Sequence, residues 1–274
     1  QTGLGDTGLT GISLITANSQ IIPIAPTIMH NRFSLAGVQI KFSMKEMDGR
    51  YQLAQSGALG DWIIKTPSTK HQNVPINEYT AMTLASLVGI NIPEIELVEM
   101  DMLDNLPPIN LPNERYAFGI KRFDRNNQRR IHSEDFAQVL VKYPHEKYNS
   151  ASHWCLLYCG PIQQFARRLL VNILLANGDA HLKNWSLLYS DRFTPELAPA
   201  YDIVTTNVYI EGEREYALNL GKTKQWYQVT LEHFEKWARK SDIPWRVIKP
   251  HLDDTMAKAR YLWPNALNEL PMDE

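Results

Sequence analysis

The sequence predicts an α+β chain in two lobes, β-rich at the N-terminal end and mainly helical at the C-terminal end. Three observations lead there. Apolar runs of strand length stand at Trp62–Pro67 and Tyr116–Phe123, with one helical pattern between them. From Ile131 onward the apolar spacing turns helical, most clearly along Phe165, Leu169, Ile173 and Ala176. That long helix runs into a polar stretch, Asn177-Gly178-Asp179-Ala180-His181-Leu182-Lys183-Asn184, and a second acidic residue, Asp202, arrives one turn-rich connection later. The expected lobes are residues 1–120 and 121–274, the second carrying both acidic positions.

Bulk properties set limits without choosing a function. A chain of 274 residues can bury one large core or two smaller ones. With 44% hydrophobic and 21% charged residues it has ordinary globular composition, and a net charge of −2 gives no electrostatic case for binding nucleic acid or a membrane surface. No apolar run approaches the ~18 residues of a membrane span. The chain opens on Gln1 without a signal-peptide pattern, as a trimmed or processed chain would. Its two cysteines, Cys155 and Cys159, lie four apart in an apolar helical context, which favours packing over metal or redox chemistry. A reducing, cytoplasmic setting is expected.

Residues 1–31, with scattered glycines and Ile21-Ile22-Pro23-Ile24-Ala25-Pro26, suit an extended segment. Ser34, Ala36 and Gly37 are small enough for a tight loop whose amides could approach phosphate, although taken alone they read first as a plain β-turn entering the strand at Val38–Met44. In Trp62-Ile63-Ile64-Lys65 the lysine either snorkels from an edge strand or pairs with nucleotide phosphates. Asn77 reads as the N-cap of a helix reaching Val88, closed by Gly89. Glu78 then suits that helix's dipole, or else forms an ion pair with Lys65. Ile92–Glu99 is strand-like, and Tyr116–Phe123 is a strand that runs into a charged connector suited to a hinge. Ser133 can cap a short helix bearing Phe136, Val139 and Leu140. Pro161 opens the helix of residues 162–177, with Arg167 and Arg168 on its solvated side and Gly178 as its stop. Trp185–Tyr189 and Leu197–Val204 read as a β-hairpin whose open end brings Asn184 beside Asp202. Thr230 caps a helix with Phe234, Trp237 and Ala238; Pro244 and Pro250 punctuate, and a last helix is expected from Asp253 to Leu262.

The chemistry sits in the polar stretch. Phosphoryl transfer from a nucleotide needs a carboxylate near the attacking hydroxyl and oxygen ligands that hold Mg²⁺ on the phosphates. Asp179, Asn184 five residues on, and Asp202 after a hairpin can supply all three. The spacing matches the D-x-x-x-x-N catalytic loop and later metal-binding Asp of protein kinases.

Several segments carry a more specific likeness: residues 34–41 (Ser-Leu-Ala-Gly-Val-Gln-Ile-Lys), 63–67 (Ile-Ile-Lys-Thr-Pro), 77–79 (Asn-Glu-Tyr) and 121–125 (Lys-Arg-Phe-Asp-Arg). They continue with 131–138 (Ile-His-Ser-Glu-Asp-Phe-Ala-Gln), 177–184, 200–203 (Ala-Tyr-Asp-Ile) and 218–221 (Leu-Asn-Leu-Gly). In this order, over about residues 34–221, they resemble the HipA family of bacterial serine/threonine kinase toxins. The resemblance implies a two-lobed protein-kinase-like fold and Mg·ATP-dependent phosphorylation of a protein serine. It implies Asp179 as catalytic base, Asn184 and Asp202 as Mg²⁺ ligands, and Lys65 on the ATP phosphates. The loop of Ser34, Leu35, Ala36, Gly37, Val38 and Gln39 would cover the nucleotide, and residues 120–123, with Lys121 and Phe123, would form the adenine-side hinge. His181 would orient the catalytic loop, or simply pack within it. Ser34 falls at the family's autophosphorylation position, and a phosphate there, adding about −1.5 to −2 charge, would expel the loop and switch the enzyme off.

The family further implies an aminoacyl-tRNA synthetase as substrate, growth arrest or persistence as outcome, and a helix-turn-helix antitoxin of the HipB type as partner, with DNA reached only through it. Only 33 residues precede Ser34, fewer than single-chain members carry, so a truncated chain or a split system with a separate small N-terminal-subdomain-like protein is expected. Lys121 replaces an acidic hinge residue of the best-known member, which leaves backbone contacts to adenine as the expectation there. Two other classes stay open: a catalytically silent, kinase-like antitoxin-binding module, and a small-molecule kinase.

Overall fold

The computed structural model describes residues 39–54, 59–126, 129–148, 162–220 and 223–271. Ser34 to Val38 of the expected nucleotide loop, and both cysteines, lie outside them. The first lobe is a six-stranded curled sheet. Its strands are β1 (Lys41–Met47), β2 (Arg50–Leu53), β3 (Trp62–Lys65), β4 (Ile95–Glu99), β5 (Leu103–Asp104) and β6 (Tyr116–Lys121), in the order β4-β6-β3-β1-β2-β5. All neighbours are antiparallel except β2 with β5. Alternation puts Phe42 and Met44 of β1 on one face, against Tyr51, Trp62 and Ile64. The other face, with Ile63, Phe118 and Ile120, is covered by α1 (Val74–Leu87). Because β3 is central, with every residue buried, Lys65 cannot be an edge-strand lysine reaching water.

Helix α1 starts earlier than expected. Asn73 caps it with a left-handed φ of 57°, and Pro75 occupies the first turn, where its missing N–H leaves no bond unmade. Asn77 is therefore not a cap: it and Glu78 lie inside the helix, both buried. Gly89 closes the helix as expected, with φ 87°.

The second lobe opens with two short strands, β7 (Arg125–Asn126) and β8 (Arg129–Arg130). Strand β9 (His132–Asp135) and α2 (Phe136–Val139) follow. Ser133 lies within β9, and the cap belongs to Asp135, whose carboxylate accepts from the Gln138 amide at 2.8 Å while the Gln138 side chain returns a bond. Helix α3 (Ile162–Leu174) buries Phe165, Ala166 and Leu170. Arg168 departs from expectation: it is buried, donates to Ala198 O at 2.7 Å and lies 5.2 Å over the Trp185 ring. Arg167 pairs with Asp254 at 2.7 Å.

The stop of α3 is Ala176 rather than Gly178. Ala176 takes φ 49°, and bonds from Asn177 N to Asn172 O and from Ala176 N to Ile173 O close the end in a Schellman pattern. The expected hairpin is shorter than its sequence suggests. Strand β10 (Ser186–Tyr189) pairs with only two residues of β11 (Glu196–Leu197), and on its other side with β9. Residues 198–204 leave the sheet, but the Tyr201 hydroxyl reaches Ser186 Oγ at 2.5 Å and Lys183 O at 3.0 Å, which still binds the two arms. Beyond β12 (Glu215–Leu220) and β13 (Thr223–Gln225) come α4 (Leu231–Lys240), capped by Thr230, and α5 (Trp245–Glu269). Helix α5 is much longer than expected and contains Pro250 and Pro264; its buried face of Ile248, Leu252, Thr255 and Ala259 packs strongly enough to override both breakers. Its Trp263 donates to Leu84 O of α1 at 2.9 Å, so one core runs from the sheet lobe into the helical lobe. No helix among the described residues is long and apolar enough to cross a membrane.

Candidate active site

Lys65 ends the central strand with its side chain 5% exposed, and its ammonium meets two carboxylates. Glu78 Oε1, from the second turn of α1, is 2.5 Å away, and Asp202 Oδ1 completes the pair from the opposite lobe. The early start of α1 is what aims Glu78 inward, so the ion-pair reading of this residue holds over the dipole reading. Lys41 stands across from Lys65 in the β1–β3 register and lies 3.8 Å from the same Asp202 oxygen. Burial alone would raise the Asp202 pKa, but Lys41 and Lys65 overcome it and hold the carboxylate well below its usual range. For Lys65, burial opposes the charge and the two carboxylates outweigh it, so the ammonium stays protonated.

The loop after α3 supplies the second half. Asn177, 1% exposed, joins both halves: its Oδ1 accepts from the Asp179 amide at 3.1 Å, and its Nδ2 donates to Asn172 Oδ1 at 2.8 Å and reaches Asp202 O at 3.4 Å. The Asp179 carbonyl accepts from the His181 amide at 2.7 Å and from Asn184 Nδ2 at 2.8 Å. Its carboxylate takes a bond from the Tyr148 hydroxyl at 2.6 Å and lies 3.7 Å from His181 Nε2. Burial raises the Asp179 pKa to about 6, against the pull of Lys147 and the Tyr148 hydroxyl. Burial, with Lys147 beside it, lowers His181 to about 3, so the imidazole is neutral at physiological pH.

The structure thus gathers Lys65, Asp179, His181, Asn184 and Asp202 into one region. It does not bring the Lys121 ammonium there. Lys121 pairs with Glu94 at 2.6 Å, and the amides of Lys121 and Arg122 are bonded to Glu94 O and Asp61 O. The Phe123 ring packs on Tyr201 at 5.7 Å, next to Asp202. Gln39, at the end of the loop segment, has a buried side-chain N–H₂ with no partner among the described residues, a donor suited to an oxygen-rich ligand.

Among the described residues no group of three or more His, Cys, Asp or Glu forms a metal cage. An ionised Asp202 and an Asn184 whose amide nitrogen is already committed, leaving its oxygen as acceptor, are nevertheless a hard-oxygen pair suited to Mg²⁺ shared with phosphates. Lys41, Lys147 and Tyr148 were missed as site residues. Lys41 could have been found from its place at the head of the strand that follows Gly37; nothing in the spacing of Lys147 and Tyr148 marks them.

A curled sheet lobe on a helical lobe, with a strand lysine, a helix glutamate and two loop aspartates meeting between them, defines the class: a protein-kinase-like fold. The fold aligns with a chain in a solved complex of HipA, HipB and operator DNA from Shewanella oneidensis at a TM-score of 0.72 and 21% identity, covering 92% of this chain and 62% of that one. The chain belongs to the family of the HipA-like C-terminal domain, whose model matches residues 33–263. It is 38% identical over 251 residues to the Sinorhizobium fredii protein named "Putative kinase Y4dM", covering 88% of this chain and 61% of that protein. It is 27% identical over 219 residues to "Serine/threonine-protein kinase toxin HipA" of Shewanella oneidensis, covering 68% of this chain and 46% of that protein. The chain therefore spans less than two thirds of the length of the relatives it matches.

Proposed function

We propose that this chain is the kinase portion of a toxin that transfers phosphate from Mg·ATP to a protein serine or threonine. One observation carries the reading: a buried lysine is held between a helix glutamate and Asp202, with Asp179 on the adjoining loop. A buried ion network of this kind is costly to keep for stability alone, and it is the arrangement that a kinase nucleotide site requires.

In this reading Lys65 and Lys41, whose charge Asp202 now partly neutralises, take the phosphate oxygens. Asn184 and Asp202 would hold Mg²⁺, which when bound offsets charge on the phosphates. Asp179 accepts the proton of the attacking hydroxyl. Its Oδ1 is fixed by Tyr148, which orients the carboxylate, and Oδ2 would take the proton. Neutral His181 packs edge-on against Tyr148 at 5.3 Å and steadies the loop. Gln39 with residues 34–38 covers the nucleotide, the backbone near Lys121 and Phe123 borders the adenine, and Ser34 is the residue whose self-phosphorylation turns the enzyme off. An aminoacyl-tRNA synthetase is the proposed substrate. A HipB-type helix-turn-helix antitoxin is the proposed partner, and a separate small protein supplies the N-terminal subdomain if the system is split.

Calorimetric titration with ATP tests the site. Binding is expected with Mg²⁺ and to be lost in Lys65→Met and Asp202→Asn. Magnesium-independent binding that survives both substitutions would overturn the assignment.

A further inference from the structure

Behind the loop that presents Asp179 lies a second buried polar arrangement, made by residues with no part in the chemistry above. The Thr206 hydroxyl accepts from the Gly178 amide at 2.7 Å and donates its proton to Glu213 Oε2 at 2.5 Å, with Ala176 O a longer alternative acceptor at 3.2 Å, while the Thr206 amide donates to Ala176 O at 3.3 Å. Thr206 is 0% and Glu213 6% exposed. Glu213 fits because residue 178 is glycine: a Cβ there would lie 2.2 Å from Glu213 Oε1. On the other side the Asn77 side chain of α1 closes both backbone groups of Thr205, accepting from its amide at 2.9 Å and donating to its carbonyl at 3.1 Å. Asn77 directly precedes Glu78, the partner of Lys65.

We propose that Thr206 is a positioning residue for Asp179. Its hydroxyl fixes the Asn177–Gly178 peptide, one residue ahead of Asp179, Glu213 fixes the hydroxyl, and Asn77 ties the same segment to the helix that sets Lys65. Residues 205–206 are then the joint that makes the base loop and the lysine–glutamate pair move as one unit. This rests on the reading of Asp179 as base. A hydroxyl between one amide and one carboxylate is a directional link that a methyl of the same shape cannot replace. Displacing a base by a fraction of an ångström to 1 Å is enough to slow a reaction by up to about a hundredfold.

The test compares Thr206→Val, which keeps the shape and loses the hydroxyl, with Thr206→Ser, which keeps the hydroxyl. Without nucleotide, amide hydrogen exchange at Gly178 is expected to rise about tenfold in Thr206→Val and to stay near wild type in Thr206→Ser. Equal exchange in wild type and Thr206→Val overturns the joint. With Mg·ATP, Thr206→Val is expected to lower kcat for phosphate transfer by about 10–100-fold at an ATP KM within about twofold of wild type, and Thr206→Ser to restore it. A Thr206→Val protein that melts earlier but transfers at full rate overturns the positioning role, as does a Ser variant as slow as Val. If wild type shows the exchange contrast but no transfer, the kinase reading fails while the link between Thr206 and Gly178 stands.

Discussion

Gly178→Ala isolates the contact on which the base loop rests. The backbone at residue 178 is not left-handed, so alanine meets no intrinsic strain there, and the cost comes from the neighbour. The new Cβ would lie 2.2 Å from Oε1, 2.6 Å from Cδ and 3.0 Å from Oε2 of Glu213. The carboxylate must leave, which breaks its 2.5 Å bond from Thr206 in a buried setting. Overpacking of about 1–3 kcal/mol with a lost buried bond of about 1–3 kcal/mol, partly relieved because Glu213 is a flexible chain end, gives about 2–4 kcal/mol of destabilisation. In a Glu213→Ala background the obstacle is gone, and the same glycine substitution is expected to cost about 1 kcal/mol or less. Urea denaturation of the four proteins, with m-values checked for constancy, measures the coupling, expected at about 1–3 kcal/mol. Additivity within about 0.5 kcal/mol would refute the claim that Gly178 is glycine because of Glu213.

Glu213 also gives stability a pH dependence. Burial raises its pKa from 4.5 to about 7, with the Asp179 carboxylate facing it adding to the shift. Between those values the folded state holds a proton that the unfolded chain has lost, so this group's contribution falls as pH rises through about 4.5 to 7, by about 1–3 kcal/mol. Glu213→Gln, neutral and still able to accept from Thr206, is expected to flatten that slope and to be more stable than wild type at pH 8, as thermal melts across the range would show; a parallel slope in both proteins would contradict it. Glu78→Gln breaks one arm of a nearly buried pair and is expected to cost about 2–4 kcal/mol in urea unfolding and to weaken Mg·ATP binding; a loss under about 1 kcal/mol would mean that Lys65 is held by Asp202 alone. Asp179→Asn is expected to lower phosphate transfer by about 10²–10⁴-fold while leaving nucleotide affinity near wild type, and a fall in affinity alone would remove Asp179 from the base role.

Much of the site could be read from short-range pattern. Lys65 stands out because a lysine in an apolar strand must either reach water from an edge or find a partner, and Asp179 with Asn184 because a five-residue spacing on one loop fixes their relation. Strands β1, β3, β4 and β6 of the first lobe followed from length and alternation, whereas the short β2 and β5 and the pairing order did not. What escaped depends on contacts distant in sequence. Asn77 has the residue type of a cap, and only its bonds to Thr205, 128 positions away, show its work. Gly178 looks like a helix stop, yet Ala176 turns the chain and the glycine answers to Glu213. Arg168 reads as a solvated neighbour of Arg167, but its helix is covered on that side by Trp185 and Ala198. Pro250 argued for a break that the packing of α5 overrules. Tyr148 and Lys147 reach Asp179 from a segment with no periodic signal at all.

The most direct measurement is the intact mass of the purified chain before and after incubation with Mg·ATP, with peptide mapping, for wild type, Lys65→Met and Asp179→Asn. Wild type is expected to gain the mass of one phosphate at Ser34, and both variants to gain none. Equal gain in all three proteins, or none in a wild type that binds Mg·ATP, would contradict a phosphotransfer site built on Lys65, Asp179 and Asp202.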